Sequence, residues 1–394
     1  MVPRFPSSLV ALLSELVSCP SVTPEGESGG TKHGEAAMGE RIRGFLKALG
    51  ADVEIRMLAP GRPTVIGVFE PAGRAEATVL FAPHLDTVGV GGMTVPPFKL
   101  TERNGRLHGR GSCDTKGPTA ALLWALRRWT RSAGARRSRV RWIVAATAGE
   151  EAGSLGAQSL IRNGWLASSG DAGSAGIKAD FAVALEPTDL RVVHAAKGVL
   201  RLWIDAEGRA AHGSRPELGD NAIYRLLPAA LAIRDKVAPA LAAKRHPLLG
   251  GAPLNLGLIS GGQGMNVVPD HCRIGVEIRT HPACPSSEAR ARVAAVCARH
   301  APRATVTVQR DAPSFVTDRS HPWARRLRRA ARGWATADWF CDANIFGAAG
   351  IPSVAFGPGS IAQAHTRDEY IRRRELEAGA SAFFRFLEAG ASGI

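Results

Sequence analysis

The chain has 394 residues, of which 45% are apolar and 22% charged, and it carries a formal net charge of +15. That length exceeds what one hydrophobic core usually serves, so two domains are expected. No stretch nears the ~18 continuous apolar residues of a membrane span, and the six cysteines (19, 113, 272, 284, 297, 341) form no CxxC pair, which argues against a disulfide scaffold or a thiolate metal site.

Leu9, Leu12, Leu13, Leu16 and Val17 share one face of a helix capped by Ser7 or Ser8. Glu15 interrupts this run and no cationic leader precedes it, so it is not read as a signal peptide and a cytoplasmic location is expected. Met38, Ile42, Phe45, Leu46 and Leu49 predict a second helix closed by Gly50. Val53, Ile55 and Met57 alternate as a strand, and residues 64–69 read as its neighbour. Residues 77–82 are a short apolar run that stops at Pro83 and is followed by His84 and Asp86. Two residues apart in extended chain, that imidazole and carboxylate point the same way. They leave the carboxyl end of a buried strand, where open α/β sheets place their chemistry.

Gly117–Pro118 opens an apolar helix, and residues 140–147 and 181–185 read as strands covered on both faces. After residue 190 the pattern changes. Leu200, Leu202, Ile204 and Ala206 alternate with mostly polar residues, as do Cys272, Ile274, Val276 and Ile278; helices are expected at residues 221–233 and, capped by Ser286, to about 300. With strands at 255–259 and 305–309 this makes an α+β domain. Residues 351–356 return to buried-strand composition and 374–388 form a last helix. The simplest account is an insertion, with one domain at 1–193 and 310–394 and the other at 194–309.

Five polar clusters sit at strand ends or in the loops after them: His84-Leu-Asp86, the 109–117 segment with Asp114, Glu150-Glu151 between Gly149 and Gly153, Glu186-Pro-Thr188, and the 364–369 segment with His365. Singly each reads as a surface loop or a cap. Two adjacent glutamates beside a buried strand repel unless a cation is shared. Together, two histidines and four acids beside strand ends are the inventory of a binuclear hydrolytic metal site, and N/O ligands without Cys suit Zn2+, with Co2+ or Mn2+ possible. Only eight of the 50 basic residues are Lys, and no basic run is interleaved with aromatics, so neither nucleic acid nor membrane is an expected partner.

Across essentially its whole length the chain resembles the M20 metallohydrolases, which include acetylornithine deacetylase, succinyl-diaminopimelate desuccinylase, aminoacylase and glutamate carboxypeptidase. The resemblance implies a three-layer, zinc-peptidase-like α/β domain with an inserted ferredoxin-like lid, or dimerisation, domain. It implies that His84, Asp114 and Glu186 hold one zinc, that Asp114, Glu151 and His365 hold the other, and that a cis peptide follows the bridging Asp114. Glu150 is then the general base and Asp86 the partner that orients His84. In the inserted domain, the motif around His212 implies an oxyanion donor reaching the partner subunit of a homodimer. Asn266 and Arg279 are implied to bind a substrate carboxylate, and Gly357 and Gly359 to offer backbone amides. Cys341 stands where this branch often carries Thr or Ser before the Asp. His33, His108, His194, His246, His271, His281, His300 and His321 are read as structural.

Glu rather than Asp at 186 resembles aminoacylases and carboxypeptidases rather than aminopeptidases, and the 186–202 stretch resembles the acetylornithine deacetylase and desuccinylase branch, so the expected reaction is deacylation of an N-acyl amino acid with a free carboxylate. A carboxypeptidase or dipeptidase is the alternative within the family. An inactive dimeric binding protein on the same fold is the alternative of another class; its signature would be a lost ligand or a lost Glu150.

Overall fold

A computed structural model describes residues 5–24, 34–171 and 176–390. They gather into two compact units, one of residues 1–194, 316–335 and 341–394, the other of residues 195–315 and 336–340. The expected boundary at 310 falls inside a strand, Thr305–Ala312.

The first unit is built on a mixed sheet. Across it run, in order, Asp52–Ala59, Arg62–Phe69, Val140–Ala146, Ala77–Ala82, Phe181–Ala184, Ser353–Ala355 and Arg191–Ala196. The four central strands are mutually parallel, and the pairs flanking them are antiparallel. Because side chains alternate across a strand, each apolar run feeds two cores. Val79, Phe81, Trp142, Val144, Phe181 and Val183 face a layer of helices that includes Leu9–Val17, Glu35–Ala48, Lys116–Trp129, Pro322–Ala330 and Arg373–Ala389. Leu80, Ala82, Ile143, Ala145 and Ala182 face the other way, onto Ala157 and Leu160 of the helix Leu155–Arg162 and Phe346 of Asp342–Ala348. This is a three-layer α/β arrangement.

Local chemistry sets the ends. Ser8, of the two expected caps, accepts the N–H of Ala11 at 3.1 Å. Gly50 takes the left-handed conformation that closes a helix, φ +87°. Thr101–Arg103, Arg106–His108 and Tyr370–Arg372 form a small sheet that ties the C-terminal segment to the chain ahead of Asp114.

The second unit is a four-stranded antiparallel sheet in the order Leu254–Gly261, His271–Thr280, Gly198–Glu207, Thr305–Ala312. Leu200, Leu202, Ile204, Ile274, Val276 and Ile278 form its core with Leu226 and Ala229 of the helix Ala222–Ala232 and Val293 of Ser286–His300. Asn221 caps the first helix, accepting the N–H groups of Ile223 and Tyr224 at 3.0 and 3.2 Å. The first helix runs past the expected end at 233, through one π turn, to Ala242. Ser286 is the first helical residue rather than the cap.

Candidate metal centre

The four parallel strands all point one way, so their carboxyl ends converge. His84 follows Ala77–Ala82, Glu150 and Glu151 follow Val140–Ala146, Glu186 follows Phe181–Ala184, and Gly357 follows Ser353–Ala355. The first two ends are laced together: Leu85 donates to the carbonyl of Thr147 at 2.8 Å and Thr147 to that of Pro83 at 2.9 Å.

Two sets of side chains bring candidate ligand atoms within 4.8 Å of one another: His84, Asp114 and Glu186, and Asp114, Glu151 and His365. Asp114 belongs to both. Its Oδ1 lies 3.1 Å from Nε2 of His84 and its Oδ2 3.4 Å from Nε2 of His365. Nε2 of His365 is also 2.9 Å from a carboxylate oxygen of Glu151. His84, Asp114 and Glu186 are buried, Glu150 and Glu151 half-buried, and His365 exposed, in the left-handed region at φ +60°. The peptide Asp114–Thr115 is cis.

The electrostatics fit a cation. Burial raises the carboxyl of Glu186, and Asp114 and Glu150 add to the rise. Burial also raises Glu150 well above the ordinary carboxylate range, with Glu151, Asp342 and Asp86 adding to it. Burial alone would lower His84 and raise Asp114, but hydrogen bonds with Asp114 and Asp86 raise His84 and hydrogen bonds with His365 and His84 lower Asp114. His365 is pushed up to about 10 by its contacts with Asp114 and Glu151. A divalent ion bound here would be balanced by the concentrated carboxylate charge and would displace the protons that the carboxylates hold on the imidazoles. The donors are nitrogen and oxygen only, within the reach of a pair of ions sharing one carboxylate.

The carboxylate of Asp86 lies 3.3 Å from Nδ1 of His84, whose nearer partner is the Asp86 carbonyl at 3.0 Å. The same carboxylate also accepts the N–H groups of Glu150 and Glu151. Gly357 differs from expectation. The N–H of Gly357 is already donated to Thr188 Oγ1 at 3.1 Å, so it is not a free amide for a substrate. A side chain at Gly357 would strike the Glu186 carbonyl at 2.6 Å, and one at Gly359 the Cys113 sulfur at 2.7 Å; both glycines allow close packing behind the site.

His212, Asn266 and Arg279 belong to the second unit. The loops of the first two are joined, Gly213 donating to the Asn266 carbonyl at 2.7 Å. Arg279 is held 2.8 Å from the carboxylate of Glu277. Of the histidines read as structural, His194 sits between the Thr317 carbonyl and Arg319, and His33 lies outside the described residues. Cys341 is buried, its thiol pushed up by burial and by Glu186 and Glu150 beside it.

Sequence reading missed the residues that brace the site. Buried Glu35 accepts the N–H of Gly149 and pairs with Arg62 Nε at 2.7 Å. Asp342 accepts from Thr147 Oγ1 at 2.7 Å. Glu369 and Arg110 form a buried pair at 2.7 Å. Glu369 stood in the cluster around His365 without a task; nothing local marked Glu35.

A three-layer α/β unit with paired ligand groups at the carboxyl edge of its parallel strands defines a metal-binding hydrolase. The model of peptidase family M20/M25/M40 matches residues 80–389, and the chain belongs to that family. It is 28% identical to acetylornithine deacetylase of Vibrio campbellii over 378 residues, 92% of this chain and 93% of that protein. It is likewise 28% identical to acetylornithine deacetylase of Proteus mirabilis over 382 residues, 94% and 93%. Among solved structures, an M20 metallo-carboxypeptidase from Sulfolobus solfataricus superposes with a TM-score of 0.82 at 16% identity, covering 98% of this chain and 100% of that one. A dinuclear metal-binding M20 peptidase from Bacillus subtilis gives 0.64 at 15%, covering 96% of each. The protein is an M20 hydrolase; both ligand groups and Glu150 are present, unlike the inactive scaffold considered above.

Proposed function

We propose that the protein is a di-zinc hydrolase that removes the acyl group from an N-acyl amino acid. The observation that carries this reading is Asp114, which turns one carboxylate oxygen toward each ligand group while Glu150 stays outside both. When bound, a pair of Zn2+ ions supplies Lewis acidity, making water a nucleophile at neutral pH and stabilising negative charge on the amide oxygen. Glu150, on the turn beside Glu151, takes the proton of the attacking water. It then returns that proton to the nitrogen of the leaving amino acid, so base and acid are one residue.

His212 in the second unit supports an electrophilic role. Its Nδ1 lies 2.7 Å from Ser214 Oγ and 3.2 Å from the Ser214 N–H, so Nε2 is the ring nitrogen assigned to the substrate. Arg279 and Asn266 are assigned to the substrate carboxylate, the Arg through a fork braced by Glu277. A homodimer fits the second unit's surface: Tyr224, Leu227 and Leu231 on the helix and Leu258 and Ile259 on the edge strand are exposed. His212 would then act across the dimer.

Deacylation is preferred because the curated relatives matched over almost their whole length are acetylornithine deacetylases. A carboxypeptidase or dipeptidase is the second reading, favoured by solved structures with those titles. Assay with N-acetyl, N-succinyl and dipeptide substrates, with Zn2+ and Co2+, separates the two. Turnover of dipeptides alone would reverse the preference, and turnover of none would remove both.

A further inference from the structure

Glu369 lies four residues beyond His365 and belongs to neither ligand group. Its carboxylate is buried, with 1% of the residue exposed, and both oxygens are filled from one loop. Oε1 accepts the N–H groups of Cys113 at 2.8 Å and Asp114 at 2.9 Å. Oε2 accepts the N–H of Gly111 at 3.0 Å and Nη1 of Arg110 at 2.7 Å. The carbonyl of Glu369 accepts again from the N–H of Gly109 at 3.2 Å and from Ser112 Oγ at 3.4 Å. Residues 109–114 are thus wrapped around a single glutamate.

Arg110 extends the connection. Its Nε donates to the Gly89 carbonyl at 3.0 Å and its Nη1 also to that of Thr366 at 3.3 Å. One carboxylate and one guanidinium join three loops: the one after His84, the one carrying Asp114 and the one carrying His365. A buried ion pair by itself says little about function. Here, however, the carboxylate grips the backbone of Asp114, and its own segment carries His365.

The geometry points to Glu369 as the positioning residue of the metal centre: it sets the span between Asp114 and His365 and so holds the second ligand group ready. The inference rests on the reading of those two residues as ligands. Partners that orient metal ligands change affinity by roughly 10- to 100-fold when removed.

Two variants separate span from charge. Glu369→Gln keeps the size but turns an NH2 group onto N–H donors. Glu369→Asp keeps the charge but is one methylene too short to serve both sets of donors. Metal-free wild type and both variants are titrated with Zn2+ against a chromogenic chelator. In parallel, metal-free protein is alkylated with iodoacetamide and the labelled cysteines are mapped by mass spectrometry. The expected result is two ions bound by wild type and an affinity for one of them lowered about 10- to 100-fold in both variants. Cys113 is then alkylated about tenfold faster while the other five buried cysteines keep their wild-type rates, the selective opening expected of one loosened loop. Unchanged affinity and labelling, full rescue by Glu369→Asp, or faster labelling of all six cysteines together would overturn the inference. A wild type that binds no metal would instead refute the ligand assignment, and this inference with it.

Discussion

The carboxylate of Asp86 accepts the backbone N–H of Glu150 at 3.1 Å. Its other oxygen accepts that of Glu151 at 3.0 Å, and the same group stands 3.3 Å from Nδ1 of His84. Asp86 therefore braces the turn that carries Glu150 and Glu151 as well as the imidazole it was expected to orient. Asp86→Asn keeps the shape but sets an NH2 group against one of the two N–H donors. We expect kcat to fall about 10- to 100-fold with KM little changed, as for other partners of metal ligands. Steady-state kinetics check this, and an unaltered kcat would show the carboxylate to be dispensable.

Glu150 lies outside both ligand groups. Glu150→Gln should lower kcat by roughly 10²- to 10⁴-fold, the usual worth of a positioned acid–base group. Metal content measured by mass spectrometry should stay at the wild-type value; loss of metal would make Glu150 a ligand instead.

Chelation should abolish hydrolysis, and Zn2+ or Co2+ should restore it. Without cations, Glu150, Glu151, Glu186 and Asp114 face one another across a buried site, and burial and mutual repulsion raise the first three. A ligand that binds only the folded state raises stability by mass action, so the melting temperature should climb with added Zn2+.

Acid should weaken the metal-free fold through His194. Burial lowers its pKa, its Nδ1 faces the Thr317 carbonyl at 3.0 Å, and its Nε2 accepts from Arg319. The folded state therefore holds the ring neutral, while the unfolded chain protonates it near pH 6.5. Below that value the unfolded state binds more protons, so this contribution is complete above about pH 6.5 and is lost as pH falls toward the lower folded value. Burial shifts His321 the same way. The melting temperature of chelated His194→Gln, whose side chain does not titrate, should therefore gain on that of the chelated wild type as pH falls from about 7.5 to 5.5. Parallel curves would exclude His194 as the source.

The edge strand Leu254–Gly261 exposes Leu258 and Ile259. If the proposed dimer pairs through this edge, wild type should run as a dimer and Leu258→Asp with Ile259→Asp as a monomer by light scattering, since charge on an exposed edge opposes pairing. If His212 acts across the dimer, mixing His212→Ala with Glu150→Ala protein should restore part of the activity; no recovery would confine His212 to its own subunit.

Much of the first unit was legible because its central strands are apolar at nearly every position and stop at abrupt polar clusters. Phe81 and Phe181 mark such strands; His84 and Glu186 mark their ends. The bracing residues were not legible. Glu35 reaches Gly149 across 114 residues and Glu369 reaches Asp114 across 255, and no local pattern encodes such a bond. The helix Pro322–Ala330 was missed because its apolar side chains, Trp323, Ala324 and Leu327, are few among four arginines. Gly357 misled for a related reason: sequence shows a glycine but not that Thr188 already takes its N–H.

The ligand groups mature at different moments of synthesis. The set His84, Asp114 and Glu186 is complete once residue 186 has left the ribosome. The set that needs His365 must wait until the whole inserted unit has been made. A nascent chain can thus offer one half-site to a metal long before the other exists, and the glutamate that clasps the Asp114 loop emerges only four residues after His365. The second group is therefore completed only by the C-terminal segment, after the residues of the first have already been synthesised.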